Sequence, residues 1–123
     1  MNKDFLKDNT SFGYLTIKAT KARGAIPVTG MDVSVSTTFN DEKIVVFNGI
    51  TDDSGLIEHI KLPAPKMGDD NLEIPNKQGY QIYAYYKPDN FEYLYNINIY
   101  EGLNVIQNIN VLPNTRVAGG VWQ

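Results

Sequence analysis

The sequence contains no cysteine. Disulfide stapling, thiolate catalysis and cysteine-ligated zinc are therefore excluded. A chain of 123 residues must then hold itself together with a single hydrophobic core, and it is large enough to do so. Histidine occurs once, as His59. A zinc site needs three or four histidine, cysteine or carboxylate ligands, so neither a metal nor a cofactor is expected. Positive charge is not in excess: 11 Lys and Arg face 14 Asp and Glu, for a net charge of -3. That balance argues against a nucleic-acid binder and against a polybasic membrane surface. No apolar run approaches the roughly 20 residues of a membrane span. The segment from Met1 to Asp8 carries charges where a signal peptide needs an apolar stretch. It predicts cytoplasmic synthesis without the usual export.

What is present reads as a globular β domain. The chain is 42% hydrophobic and 20% charged, close to the globular norm. Apolar residues do not recur at helical spacing over three turns, whereas alternation is frequent. Leu15, Ile17 and Ala19 alternate with polar neighbours, as do Val33 and Val35. Lys43 to Ile50 is a denser run, which predicts a strand covered on both sides. Leu56, Ile60 and Leu62 share one parity, opposite Ile57, His59 and Lys61. The stretches 80–86, 93–100 and 103–112 are rich in Tyr, Ile and Val, as strands prefer.

Turn residues separate these runs: Gly24 to Pro27, Thr29-Gly30, Asn40-Asp41, Asp52 to Gly55, Pro88 to Asn90 and Glu101-Gly102. Seven strands so punctuated predict an all-β Greek-key β-sandwich of immunoglobulin-like or prealbumin-like type. The expected organisation is a polar N-terminal arm over 1–12, a sandwich domain over 13–113 and a C-terminal tail over 114–123. Pro63 to Gln78 is expected to be a long loop.

The order of these features resembles a family. Ala25-Ile26-Pro27-Val28, Gly30 and Val33-Ser34-Val35 are similar to the opening of prealbumin-like (carboxypeptidase-regulatory, transthyretin-like) domains. Thr51-Asp52-Asp53-Ser54-Gly55-Leu56 resembles their hairpin. Leu62-Pro63-Ala64-Pro65, then Tyr80-Gln81-Ile82, and the closing Val111-Leu112-Pro113 resemble the variant in clostridial spore-cortex-lytic and peptidoglycan-binding proteins. The likeness spans about residues 13–113 and implies a non-catalytic accessory role. Transthyretin-like folds also include a hydrolase of hydroxyisourate with several His and Arg residues and a C-terminal Tyr-Arg-Gly-Ser. This chain has one histidine, His59, and two arginines, Arg23 and Arg116, and ends Gly-Val-Trp-Gln, so that enzyme is excluded on this reading.

The remaining chemistry is sparse. No Gly-x-Ser-x-Gly elbow accompanies His59, which alternation places on the surface. By similarity to collagen-adhesin B-type sandwiches, an isopeptide bond would join Lys18 to Asn108 or Asn110 with a buried Glu near Ala84, and no acid stands there. Asp52-Asp53 and Asp69-Asp70 lack calcium-loop spacing and read as turn residues. No catalytic residue is expected. Within 80–86, Tyr83 and Tyr85 fall on the parity opposite Tyr80, Ile82 and Ala84. They form an aromatic patch suited to a protein partner or a sugar.

These readings predict a non-catalytic subunit of a multi-protein particle, such as a phage virion or phage-like tail. It would bind neighbouring subunits or copies of itself through Phe5, Leu6, Phe12, Tyr83, Tyr85, Val121 and Trp122. The alternative is a peptidoglycan-associated accessory domain of the spore or cell wall. No nucleic-acid or membrane partner is expected.

Overall fold

Alternation along the strands builds two sheets that face each other. The computed structural model describes residues 2–67 and 76–112. In chain order the elements are α1 (Lys3–Asp8), β1 (Ser11–Lys21), β2 (Ile26–Pro27), β3 (Asp32–Phe39), β4 (Glu42–Ile50), β5 (Leu56–Ala64), β6 (Gln78–Tyr86), β7 (Phe91–Ile99) and β8 (Asn104–Val111). A short 3-10 turn, Lys87–Asp89, joins β6 to β7.

One sheet is ordered β4-β3-β6-β7, with every pair antiparallel. In the other, β1 is central. It pairs antiparallel with β5 and β2, and parallel with β8 over Tyr14–Lys21. The inward faces meet in one core of Leu15, Ile17, Ala19, Ile60, Leu62, Ile109 and Val111 against Val33, Val35, Tyr80, Ile82, Ala84, Ile97 and Ile99. The β3–β4 hairpin turns on Asn40 and Asp41, both at positive φ (54° and 65°). That pair of left-handed residues matches the twist of the flanking strands.

The all-β sandwich expected from the sequence is present, with eight strands rather than seven. The eighth is β2, two residues long and too short to show alternation. Pro27 suits it, because β2 lies at an edge where a missing donor costs no ladder bond.

Four local expectations are corrected. First, the N-terminal arm contains a helix. Asn2 caps α1 by accepting from the amides of Asp4 and Phe5 at 2.8 and 3.0 Å. Six residues are too few to reveal a helical period. Second, β4 is an edge strand rather than one covered on both sides, with Val45 and Ile50 exposed. Third, Pro63 and Ala64 belong to β5 rather than to a loop. Fourth, the β1–β5 register slips between Leu15 and Ile17. Ile57 therefore lies opposite Ile17 and packs on the core, while Leu56 pairs with Lys18. A bulge of this kind reverses side-chain parity, which is why Leu56 departs from the face of Ile60.

Candidate functional site

The bulge in β5 holds the least ordinary backbone of any strand. His59 has φ 55°; the other non-glycine residues at positive φ, Ala22, Arg23, Asn40, Asp41 and Asn90, lie in turns. Such a conformation costs a non-glycine residue about 1–3 kcal/mol and is concentrated at functional sites. The His59 amide donates to Thr16 Oγ1 at 3.3 Å, and its side chain is exposed.

Across β1 from His59 lies β8. The parallel register sets Thr16 opposite Ile106, Lys18 opposite Asn108 and Thr20 opposite Asn110. Thr16 donates to Asn104 Oδ1 and Thr20 to Asn110 Oδ1, each at 3.3 Å. The outer face of this sheet thus carries hydroxyls and carboxamides, with Lys18 exposed in its middle and Ile106 exposed beside Thr16. Lys18 and Asn108 stand on that face and not in the core, so the ends considered for an isopeptide bond do not meet beside Ala84, which is buried.

Where β1 leaves the sheet, Ala22, Arg23 and Gly24 turn through three successive positive φ values of 54°, 60° and 89°. The turn closes one end of a cleft of about 750 Å³. Lys18, Lys21 and Arg23 line it together with Thr20, Asn108 and Asn110, and among the described residues no carboxylate does. Three cations converge here in a chain whose net charge is negative. A second hollow of about 310 Å³ adjoins it, sharing Lys21, Ala22, Val111 and Leu112 and adding Asp89. Among the described residues the Tyr93 hydroxyl is buried without a hydrogen-bond partner. Burial raises its pKa, the Leu112 backbone acts in the opposite sense without closing a bond, and the Asp89 charge raises it further.

The signal that would have found this cleft is a gap in charge. Between Asp8 and Asp32 there is no acidic residue, and the only charges are Lys18, Lys21 and Arg23. β8 carries no charge at all. Neither strand contributes an anion to neutralise the other.

The residues expected to bind a partner do not form one surface. Phe5 is corrected outright: it is fully buried, edge-on to Phe39 and Tyr80 with ring centroids 5.7 and 6.4 Å away. As part of the core it cannot anchor a neighbour. Leu6 is exposed on α1. Phe12 is exposed on the β1 sheet, with the Lys61 ammonium 4.2 Å above its ring. Tyr83 and Tyr85 lie on the outer face of the opposite sheet. Their hydroxyls donate to Glu92 Oε2 and Asn90 Oδ1 at 2.7 and 2.8 Å. Val121 and Trp122 lie outside the described residues.

The acidic pairs divide in the same way. Asp52 Oδ1 accepts from the amides of Ser54 and Leu56 at 2.9 and 3.0 Å, whereas Asp69 and Asp70 lie outside the described residues. Among the described residues no three His, Asp or Glu side chains are placed to hold a metal, and no helix is long and apolar enough to cross a membrane.

No protein-family model matches this sequence, and no curated protein matches it. Solved structures do match. The 5-hydroxyisourate hydrolase of Klebsiella pneumoniae aligns over 82% of this chain and 90% of its own, at 15% identity and a TM-score of 0.57. The fold is transthyretin-like. (S)-Allantoin synthase aligns over 84% of this chain and 42% of its own, at 10% identity and a TM-score of 0.51. Transthyretin from Sparus aurata aligns over 79% of this chain and 90% of its own, at 14% identity and a TM-score of 0.44.

At these identities the likeness carries the fold and not the activity. It nevertheless corrects the expectation of a non-catalytic particle subunit or wall-associated accessory domain. Two of the structures sharing this fold are enzymes. The motifs behind that expectation mark turns and strand entries. They say nothing of the outer faces, where a catalytic member would differ from a non-catalytic one.

Proposed function

We propose that the protein is an enzyme acting on a small, negatively charged, nitrogen-rich ring compound bound in the Lys18–Arg23 cleft. One observation carries the reading: Lys18, Lys21 and Arg23 line a single cleft with Asn108, Asn110 and Thr20, and among the described residues no carboxylate joins them. The cations attract an anionic ring, and the carboxamides and hydroxyl match its alternating N–H and C=O groups. The substrate class follows the name of the hydrolase that shares the fold. The chain's own residues differ from the signature described above, so its substrate need not be 5-hydroxyisourate itself. The nearer kinship with spore-cortex-lytic domains rests on the Leu62–Pro65, Tyr80–Ile82 and Val111–Pro113 motifs alone.

The reaction that fits is hydrolytic ring opening. His59 takes a proton from a water, and the oxygen of that water bonds to a ring carbonyl carbon. The C–N bond then breaks, and the proton passes to the departing nitrogen. Lys18 lines the cleft and pairs with Leu56 of β5, three residues before His59; it faces the oxyanion that forms in between, while His59 acts from β5, outside the cleft lining. The strained backbone of His59, held by Thr16, fixes where that proton transfer occurs.

The test is turnover of freshly generated 5-hydroxyisourate and of a panel of hydantoins and dihydropyrimidines, followed by ultraviolet absorbance. Wild type is expected to open at least one of these rings faster than its spontaneous rate. His59→Gln should lower kcat by about 10²–10⁴-fold, as loss of a general base does. Lys18→Met with Arg23→Met should act mainly on KM. No acceleration for any ring, or full activity in His59→Gln, would overturn the reading.

A further inference from the structure

On the opposite sheet, the β3–β6 ladder stops before its strands do. Pairing runs from Asp32↔Tyr85 to Ser36↔Gln81, yet β3 continues to Phe39 and β6 begins at Gln78. Side chains bridge the remaining gap. The Thr37 hydroxyl donates to the Gly79 carbonyl at 2.7 Å and accepts from Gln78 Nε2 at 3.0 Å.

A slot of about 330 Å³ opens on the outer face there, lined by Ser36, Thr38, Lys43, Gln81, Asn96 and Asn98. The registers set these residues in two rows. Ser36, Gln81 and Asn96 lie side by side across three strands, and Thr38 pairs with Lys43 as Gly79 does with Asn98. Gly79 leaves the floor bare: a Cβ built on it would meet only Asn98 Oδ1 at 3.7 Å and the Ile97 carbonyl at 4.0 Å. One row further along β6 stands Tyr83, exposed, its ring fixed by the bond from its hydroxyl to Glu92.

We propose that this slot binds a neutral oligosaccharide. Hydroxyls and carboxamides each offer both donors and acceptors, which is what the adjacent hydroxyls of a sugar ring require. Among the described residues Lys43 is the only charged side chain in the lining, so no strong field selects an ion. An apolar ligand would leave the Gln81, Asn96 and Asn98 amides unpaired. Tyr83, one strand repeat of about 7 Å from Gln81, provides a held aromatic surface for the C–H face of a neighbouring sugar unit. The recessed floor at Gly79 suits a ring entering edge-on better than the flat surface of a folded protein. This site is separate from the cationic cleft and does not depend on the proposal made for it.

Titrating the ¹⁵N-labelled protein with maltotetraose, cellotetraose and mannotetraose, one at a time, tests the proposal by NMR. At least one should give saturable shifts confined to the amides of residues 36–38, 79–83 and 96–98, insensitive to added salt. Asn96→Leu and Tyr83→Ala alter exposed side chains, and each should weaken that binding about tenfold or more with unchanged thermal unfolding. No shifts with any of the three, shifts elsewhere, or full affinity in both variants would overturn it.

Discussion

Tyr80 of β6 donates its phenol hydrogen to the carbonyl of Pro63 in β5, so one buried hydrogen bond joins the two sheets across the core. Both residues are buried, and burial pushes the phenol pKa well above its usual value. Tyr80→Phe would keep the ring and leave a buried carbonyl unpaired. It should destabilise the protein by about 1–3 kcal/mol, read as a lower urea midpoint with an unchanged slope.

The same bond sets an alkaline limit. A phenol whose folded pKa is raised stabilises fully below its unfolded pKa of about 10, and the contribution is lost as pH rises through the folded value. Stability should therefore fall above about pH 10, and less steeply in Tyr80→Phe. Burial also raises Tyr93 and Tyr95, so absorbance titration of the eight tyrosines should show a group that ionises late. An equal alkaline slope in wild type and variant would contradict this.

Glu101 works on the acid side. Its carboxylate accepts from the Ser11 hydroxyl and the Met67 amide, each at 2.7 Å. The Ser11 bond, then the Met67 amide and the nearby Lys66 charge, lower its pKa against a small opposing effect of burial. A lowered carboxylate stabilises above its unfolded pKa and ceases to do so as pH falls through the folded one. Glu101→Gln should accordingly flatten the acid limb of the stability curve, measured by thermal unfolding between neutral and acid pH.

Phe5 is expected to behave as a core residue. Phe5→Ala should cost about 3–5 kcal/mol, whereas Leu6→Ala, on the exposed side of α1, should cost far less. Similar losses for the two, seen in urea unfolding, would place α1 elsewhere.

Gly55 and Gly102 share φ +75°, yet differ in surroundings. A Cβ on Gly55 would strike the Ala19 carbonyl, which accepts from the Val28 amide at 2.9 Å; on Gly102 it would meet nothing. Both alanine variants bear the left-handed strain of about 1 kcal/mol or more. Only Gly55→Ala adds the clash, so its unfolding temperature should drop further.

Much of the fold was legible in the sequence because alternation and turn residues act locally. Val33 and Val35, or Tyr80, Ile82 and Ala84, show their inward parity without reference to any partner. What escaped depended on contacts between distant segments. The bulge at His59 exists because β5 must follow β1 on both sides of Thr16, and α1 is held by Phe39 and Tyr80, far along the chain. The cationic cleft was hidden differently. Lys18, Lys21 and Arg23 do not read as a group in the sequence, and they matter because β8, paired with β1 at a separation of 90 residues, brings amides and no acid beside them.

The most direct test of the central claim is binding of urate, a nitrogen-rich ring anion, followed by NMR at low and high salt. Saturable shifts at Lys18, Thr20, Arg23, Asn108 and Asn110 are expected. They should weaken as salt screens the cations and vanish in Lys18→Met with Arg23→Met. Shifts confined to other residues, or none at any urate concentration that stays soluble, would contradict an anion-binding enzyme at this cleft.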